Sequence, residues 1–99
     1  MSLRNLPAVL MVSTMLAIST YAQTTPSDVR DLIDARASSG ETQLRNRGYR
    51  KVKSSRSDDR SYSNWWRSSS RTCVIVSTYD GRFASIGTAP AEDCNQNLQ

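Results

Sequence analysis

Between Arg45 and Arg71 the chain places nine arginines and lysines against only two acids, Asp58 and Asp59, and threads Tyr49, Tyr62, Trp65 and Trp66 among them. Guanidinium groups hold carboxylates and phosphates through paired hydrogen bonds, and aromatic rings offer flat faces to bases and cations. The chemistry available to such a segment is binding. An anionic glycan, lipid headgroups, nucleic acid or an acidic protein would each fit it. The bland alternative is a solvated surface whose arginines pair with nearby acids. The stretch SYSNWWRSSSRTC, Ser61 to Cys73, sharpens the choice. In a strand, the adjacent Trp65 and Trp66 must point to opposite faces of the sheet.

Catalytic chemistry has little to work with. The chain has no histidine, which removes the commonest general base, the Ser-His pair and most zinc sites. Asp58 and Asp59 are neighbours in a serine-rich stretch and read as a solvated turn. Asp80 belongs to an Asp-Gly turn. No phosphate loop, dinucleotide-binding glycine pattern, calcium loop or N-x-S/T sequon occurs. The expectation is a protein that is not an enzyme and takes no metal or cofactor.

The N-terminal segment sets the compartment. Arg4 is followed by the apolar run Ala8 to Ile18, then by the small-x-small triplet Thr20-Tyr21-Ala22. As a helix the run would span about 16 Å, against about 30 Å for a bilayer core. This is the pattern of a secretory signal peptide, and cleavage is expected after Ala22. The mature product, residues 23–99, is then one small domain in the periplasm or outside the cell, without a transmembrane anchor. An uncleaved anchor or a buried helix is the alternative. A domain of this size has a marginal core. Cys73 and Cys94 are the only cysteines, and export favours a disulfide between them. Closing that loop is worth about 3 kcal/mol in the chain-entropy model.

The elements that must position these residues follow from periodicity. Thr25-Pro26-Ser27-Asp28 resembles a helix start. Val29, Leu32, Ile33, Ala37 and Leu44 form one helical stripe, and Gly48 suits a left-handed stop. A helix is predicted from about Pro26 to Arg47, in one piece or two, with Ser38-Ser39-Gly40 as its weak point. The period then changes to two. Strands are predicted at Tyr49–Lys53, Ser61–Arg67, Thr72–Tyr79 and Arg82–Ile86, with Ser54 to Arg60 a polar loop and Asp80-Gly81 a two-residue hairpin turn. The fold class is α+β: an N-terminal helix packed on a four-stranded antiparallel meander, with one disulfide.

Register then sorts the tryptophans. The Asp80-Gly81 turn sets Tyr79 opposite Arg82 and Cys73 opposite Thr88. Val74, Val76 and Phe83 share one face; Cys73, Ile75, Ala84 and Ile86 share the other. An even-length serine turn puts Trp65 with Val74 and Val76, and Trp66 with Cys73 and Ile75 beside Asn64 and Tyr62. Trp65 is expected in the core. Trp66 is expected on the more open face, where it would form a binding surface with Tyr62, Arg50, Arg67 and Arg71. A one-residue slip in the serine turn would exchange the two.

RGY at Arg47 to Tyr49, DDRSYSNWW at Asp58 to Trp66, and TCVIVSTYDGRFASI at Thr72 to Ile86 with the closing Cys94 resemble a group of short exported bacterial proteins of unknown function. The resemblance covers nearly all of the mature chain and carries no activity over. The helix-then-meander order is also similar to PepSY-type and β-lactamase-inhibitor-type modules, which bind or inhibit proteins outside the cytoplasm. That likeness is one of topology alone. The sequence therefore points to a non-catalytic module that binds an envelope polymer or a partner protein, an inhibitor included. Nucleic acid fits an exported protein poorly. The alternative is a structural or stress-related envelope protein without a specific ligand.

Overall fold

The computed structural model describes residues 23–97. The expected signal peptide, residues 1–22, lies outside the described residues. One α-helix, α1 (Ala37–Asn46), precedes four strands: β1 (Tyr49–Ser57), β2 (Arg60–Arg67), β3 (Thr72–Tyr79) and β4 (Arg82–Ala89). The strands form one antiparallel sheet in the order β1-β2-β3-β4, a meander. Short 3-10 turns stand at Arg30–Leu32 and Ala91–Cys94.

The predicted helical stripe is only partly helix. Val29 and Leu32 are buried, as the stripe requires, but they reach the core through the first 3-10 turn. Asp34 then takes a left-handed φ of 77°. Ala35 N–H still donates back to the Leu32 carbonyl (3.0 Å), but Asp34, Ala35 and Ala37 also bond to β4 and the turn before it. Asp34 N–H donates to the Phe83 carbonyl (2.7 Å), Phe83 N–H to the Ala35 carbonyl (2.9 Å), and Ala37 N–H to the Gly81 carbonyl (2.8 Å). Those bonds replace a helical turn, so α1 starts only at Ala37. Thr25 does not cap a helix; its hydroxyl donates to the Ile86 carbonyl at 2.7 Å. Gly40 is not a weak point. It lies inside α1, and a Cβ there would meet Cδ2 and Cζ of Phe83 at 2.7 Å. Its bareness lets the helix settle onto the ring. The chain leaves α1 through Gly48, at φ 94°, as expected.

The sheet is longer than its hydrophobic pattern suggested. Ser54 to Arg60 is not a loop. Only Asp58-Asp59 turn, with Asp58 at φ 55°. The flanking serines pair across the hairpin: Ser54 with Ser63, Ser55 with Tyr62, Arg56 with Ser61, and Ser57 with Arg60. Asp tolerates the left-handed region, which is what a tight hairpin needs. At the serine turn the expected register holds, with Trp65 opposite Val74 and Trp66 opposite Cys73. Tyr79 also faces Arg82 as expected. A bulge then shifts β4: Thr78 pairs with Phe83 but Ser77 with Ser85, leaving Ala84 unopposed. Cys73 therefore faces Ala89, not Thr88, and Ile86 moves to the helix side opposite Val76. A single extra residue reverses the facing of everything beyond it.

Both faces of the sheet carry a core. Val29, Leu32 and Leu44 of the N-terminal arm and α1 pack with Tyr49, Trp65, Val74, Val76, Phe83 and Ile86 of the sheet. On the opposite face Trp66, Cys73, Ala89 and Cys94 form a second cluster, edged by Val52, Ile75 and Ala91. Cys73 and Cys94 are at disulfide distance, with Cα atoms 5.8 Å apart. Among the described residues no helix is long and apolar enough to cross a membrane.

Candidate binding face

The four strands contain seven arginines and lysines and no acid. Acids sit only in the N-terminal arm, α1, the turns and the tail. The arm and α1, with Asp28, Asp31 and Glu41, lie on one side of the sheet, and the tail, with Glu92 and Asp93, lies on the other over Trp66.

On the helix side Arg45, Arg47, Lys51 and Arg67 are occupied, while Arg56, opposite Ser61, enters no ion pair among the described residues. Glu41 accepts from Lys51 Nζ at 3.0 Å and pairs with Arg45 at 3.5 Å. Both of these cations stand 5.4 Å from the Trp65 ring centroid. Trp65 itself is fully buried, and its indole N–H donates to Ser63 Oγ at 2.8 Å. Arg47 grips Asp31 through two hydrogen bonds, of 2.7 and 2.9 Å, which hold the Asp31 carboxyl below its usual range and raise Arg47. Asp28 accepts from Tyr49 Oη (2.9 Å) and from Arg67 (3.1 Å). Burial, reinforced by that carboxylate, pushes the Tyr49 phenol up to about 12. These contacts clamp the N-terminal arm to the sheet.

Arg67 is thus a clamp residue. Its guanidinium pairs with Asp28 and lies 5.9 Å from the Tyr49 ring centroid, on the face opposite Arg50 and Tyr62. It does not belong to the surface the sequence assigned it to.

Trp66 is not exposed either. It is on the expected face, yet only 5% of it is accessible. The tail after β4 turns back through Ala91–Cys94, and the Cys73–Cys94 link fixes it over the indole. A bond between Cys94 and Cys73 brings the tail onto the face that Trp66, the residue opposite Cys73, also occupies. That was the available signal.

The remaining expected residues stay on the face opposite the helix. Arg50 is exposed and opposite Trp66, while Tyr62 is half-buried farther along β2. Tyr62 lines a recess of about 280 Å³ with Gln23, Thr25, Ile75, Ser77 and Ser85. Lys53, opposite Asn64, and Arg60, opposite Tyr79, extend the same face, and neither was singled out from the sequence. Arg60 donates to Ser77 Oγ at 3.3 Å and lies 4.9 Å from the centroid of the Tyr79 ring, which is 45% exposed. Arg71 is apart from them. It is exposed in the serine turn at φ 52° and lines a separate recess of about 450 Å³ against the tail, which includes Glu92. Among the described residues, no ion pair involves Arg50, Lys53 or Arg60. The same residues contain no group of three or more metal-ligating side chains.

No family model, curated protein or solved structure matches the chain.

Proposed function

We propose that the protein is a non-catalytic module, exported to the periplasm or beyond, that holds an anionic envelope polymer on the sheet face opposite α1. The carrying observation is the uneven ion pairing. The acids of the arm and helix engage Arg45, Arg47, Lys51 and Arg67 and leave only Arg56 of the helix-side strand cations unpaired, whereas none of Arg50, Lys53 and Arg60 on the open face enters an ion pair among the described residues. Unneutralised charge on one face raises the local concentration of an oppositely charged chain. Tyr62 and Tyr79 supply ring faces among these cations. The signal-like start and the Cys73–Cys94 pair fit an oxidising compartment outside the cytoplasm. Trp66 takes no direct part, because the tail covers it.

The test is retention of the protein on an immobilised polyuronic acid, compared with a neutral glucan, over a range of salt. Binding to the acidic polymer alone, weakening as salt screens exposed charges over roughly 8 Å at physiological strength, is expected. Arg50→Glu with Lys53→Glu should reduce affinity at least tenfold without lowering the melting temperature. Equal retention of this variant and the parent, or no retention at low salt, would favour an envelope protein without a specific ligand.

A further inference from the structure

The two edges of the sheet are finished differently. The outer side of β4 is occupied by the chain's own arm. Thr88 N–H donates to the Thr24 carbonyl at 2.9 Å, Phe83 exchanges hydrogen bonds with Asp34 and Ala35, and Arg36 forms a bridge with Arg82. Among the described residues, no backbone hydrogen bond reaches the outer side of β1. The register of β1 shifts at Val52, but Lys53 to Ser57 pair regularly with β2 and all five are exposed. Three of the five are serines, whose short side chains leave the edge backbone accessible. Such an edge is a template for another strand.

Charge selects the occupant. A second copy docking through β1 would lay Arg50, Lys51, Lys53 and Arg56 along the same four cations, which is repulsive. We propose that the Lys53–Ser57 edge takes up an extended acidic polypeptide segment as a fifth strand. Lys53 pairs with Asn64 on the open face, and Arg56 pairs with Ser61 on the helix face. The fitting segment therefore carries two acids three residues apart, one for each face, with small or β-branched residues between them. Five paired residues span about 17 Å. Asp58 and Asp59, just beyond Ser57, repel acids at the hairpin tip and so restrict the register.

This inference does not require the polymer reading. It depends on backbone pairing, on Lys53, which it shares with the polymer face, and on Arg56, which lies outside that face. The experiment titrates the isotope-labelled protein with a short Thr/Val peptide carrying two Glu residues three apart, and follows amide shifts and hydrogen exchange. New protection confined to Lys53–Ser57 is expected. Arg56→Glu should weaken the peptide about tenfold, by turning attraction into repulsion, and leave polyuronate retention unchanged. The same peptide N-methylated on alternate amides should not bind. Equal binding of the methylated peptide would overturn the proposal, since side-chain attraction alone would then suffice. So would absence of protection in β1, or protection of the same amides that rises with protein concentration when no peptide is present, which would make a second copy the occupant.

Discussion

Trp66 stands directly opposite Cys73, and the link from Cys73 to Cys94 draws the tail across its indole. The staple thus does more than shorten the unfolded chain. It completes the second core, which otherwise would present a tryptophan to water. Replacing both cysteines with serine should cost about 3 kcal/mol, a large part of the stability of a domain this small. It should also make Trp66 accessible to a neutral fluorescence quencher under native conditions. Lost stability without a gain in quenching would mean that the tail stays in place unaided.

The two tryptophans should behave alike in unfolding experiments. Trp65 is fully buried and Trp66 nearly so, in separate clusters. Either change to alanine should cost about 3–5 kcal/mol, measured as a lowered denaturation midpoint. A Trp66→Ala protein as stable as the parent would show that the tail cluster contributes little and would restore the case for an exposed indole.

What the sequence made legible was local. The β-branched run Thr72 to Tyr79, the Asp80-Gly81 turn and the even-length serine turn were enough to set most of the register, because turn chemistry fixes pairing nearby. The bulge at Ala84 was not legible. No residue there advertises an extra position, and the shift moved Ile86 to the other face. Ser54, Ser55 and Ser57 of β1 look like loop in the sequence because their pairing leaves no hydrophobic alternation. Asp34 to Ala37 look helical in the sequence because the competing partner, β4, lies far away in the chain. For the site, composition exposed the concentration of charge but not which cations the arm would consume. Arg67 and Arg50 look equivalent in sequence; only the fold places Asp28 beside one of them.

Gly40 offers a test of packing against propensity. In an isolated helix, alanine in its place would gain up to about 1 kcal/mol. Here a Cβ would overlap the buried Phe83 ring, which has no flexible end to withdraw. Gly40→Ala should therefore destabilise the protein, by about 1–3 kcal/mol. The same change at the exposed Ser39 should be neutral or mildly stabilising. Combining Gly40→Ala with Phe83→Leu should recover part of the loss, because the smaller side chain vacates the contested space. A Gly40→Ala protein with a raised melting temperature would mean that α1 can lift from the sheet at no cost.

The last expectation concerns pH, and its sign follows from Tyr49 and Asp31. The Tyr49 phenol is raised from 10.0 to about 12, first by burial and then by the Asp28 carboxylate it donates to. The folded state therefore holds that proton more tightly than the unfolded chain. Its contribution is complete below about pH 10 and is lost as pH rises toward 12. Asp31 behaves in the opposite sense. The hydrogen bonds from Arg47 lower its carboxyl below 3.8, so the folded state favours the ionised form. That contribution is present above the unfolded value and is lost as acid protonates the carboxyl. Denaturation midpoints across pH should show an alkaline decline that begins near pH 10, and the decline should shrink in Tyr49→Phe. Spectroscopic titration of the tyrosines should find one phenol that ionises late in the parent and is missing from that variant. An alkaline limb unchanged in Tyr49→Phe would show that the Tyr49–Asp28 contact does not hold the arm, and that Arg47 and Arg67 clamp it without the phenol.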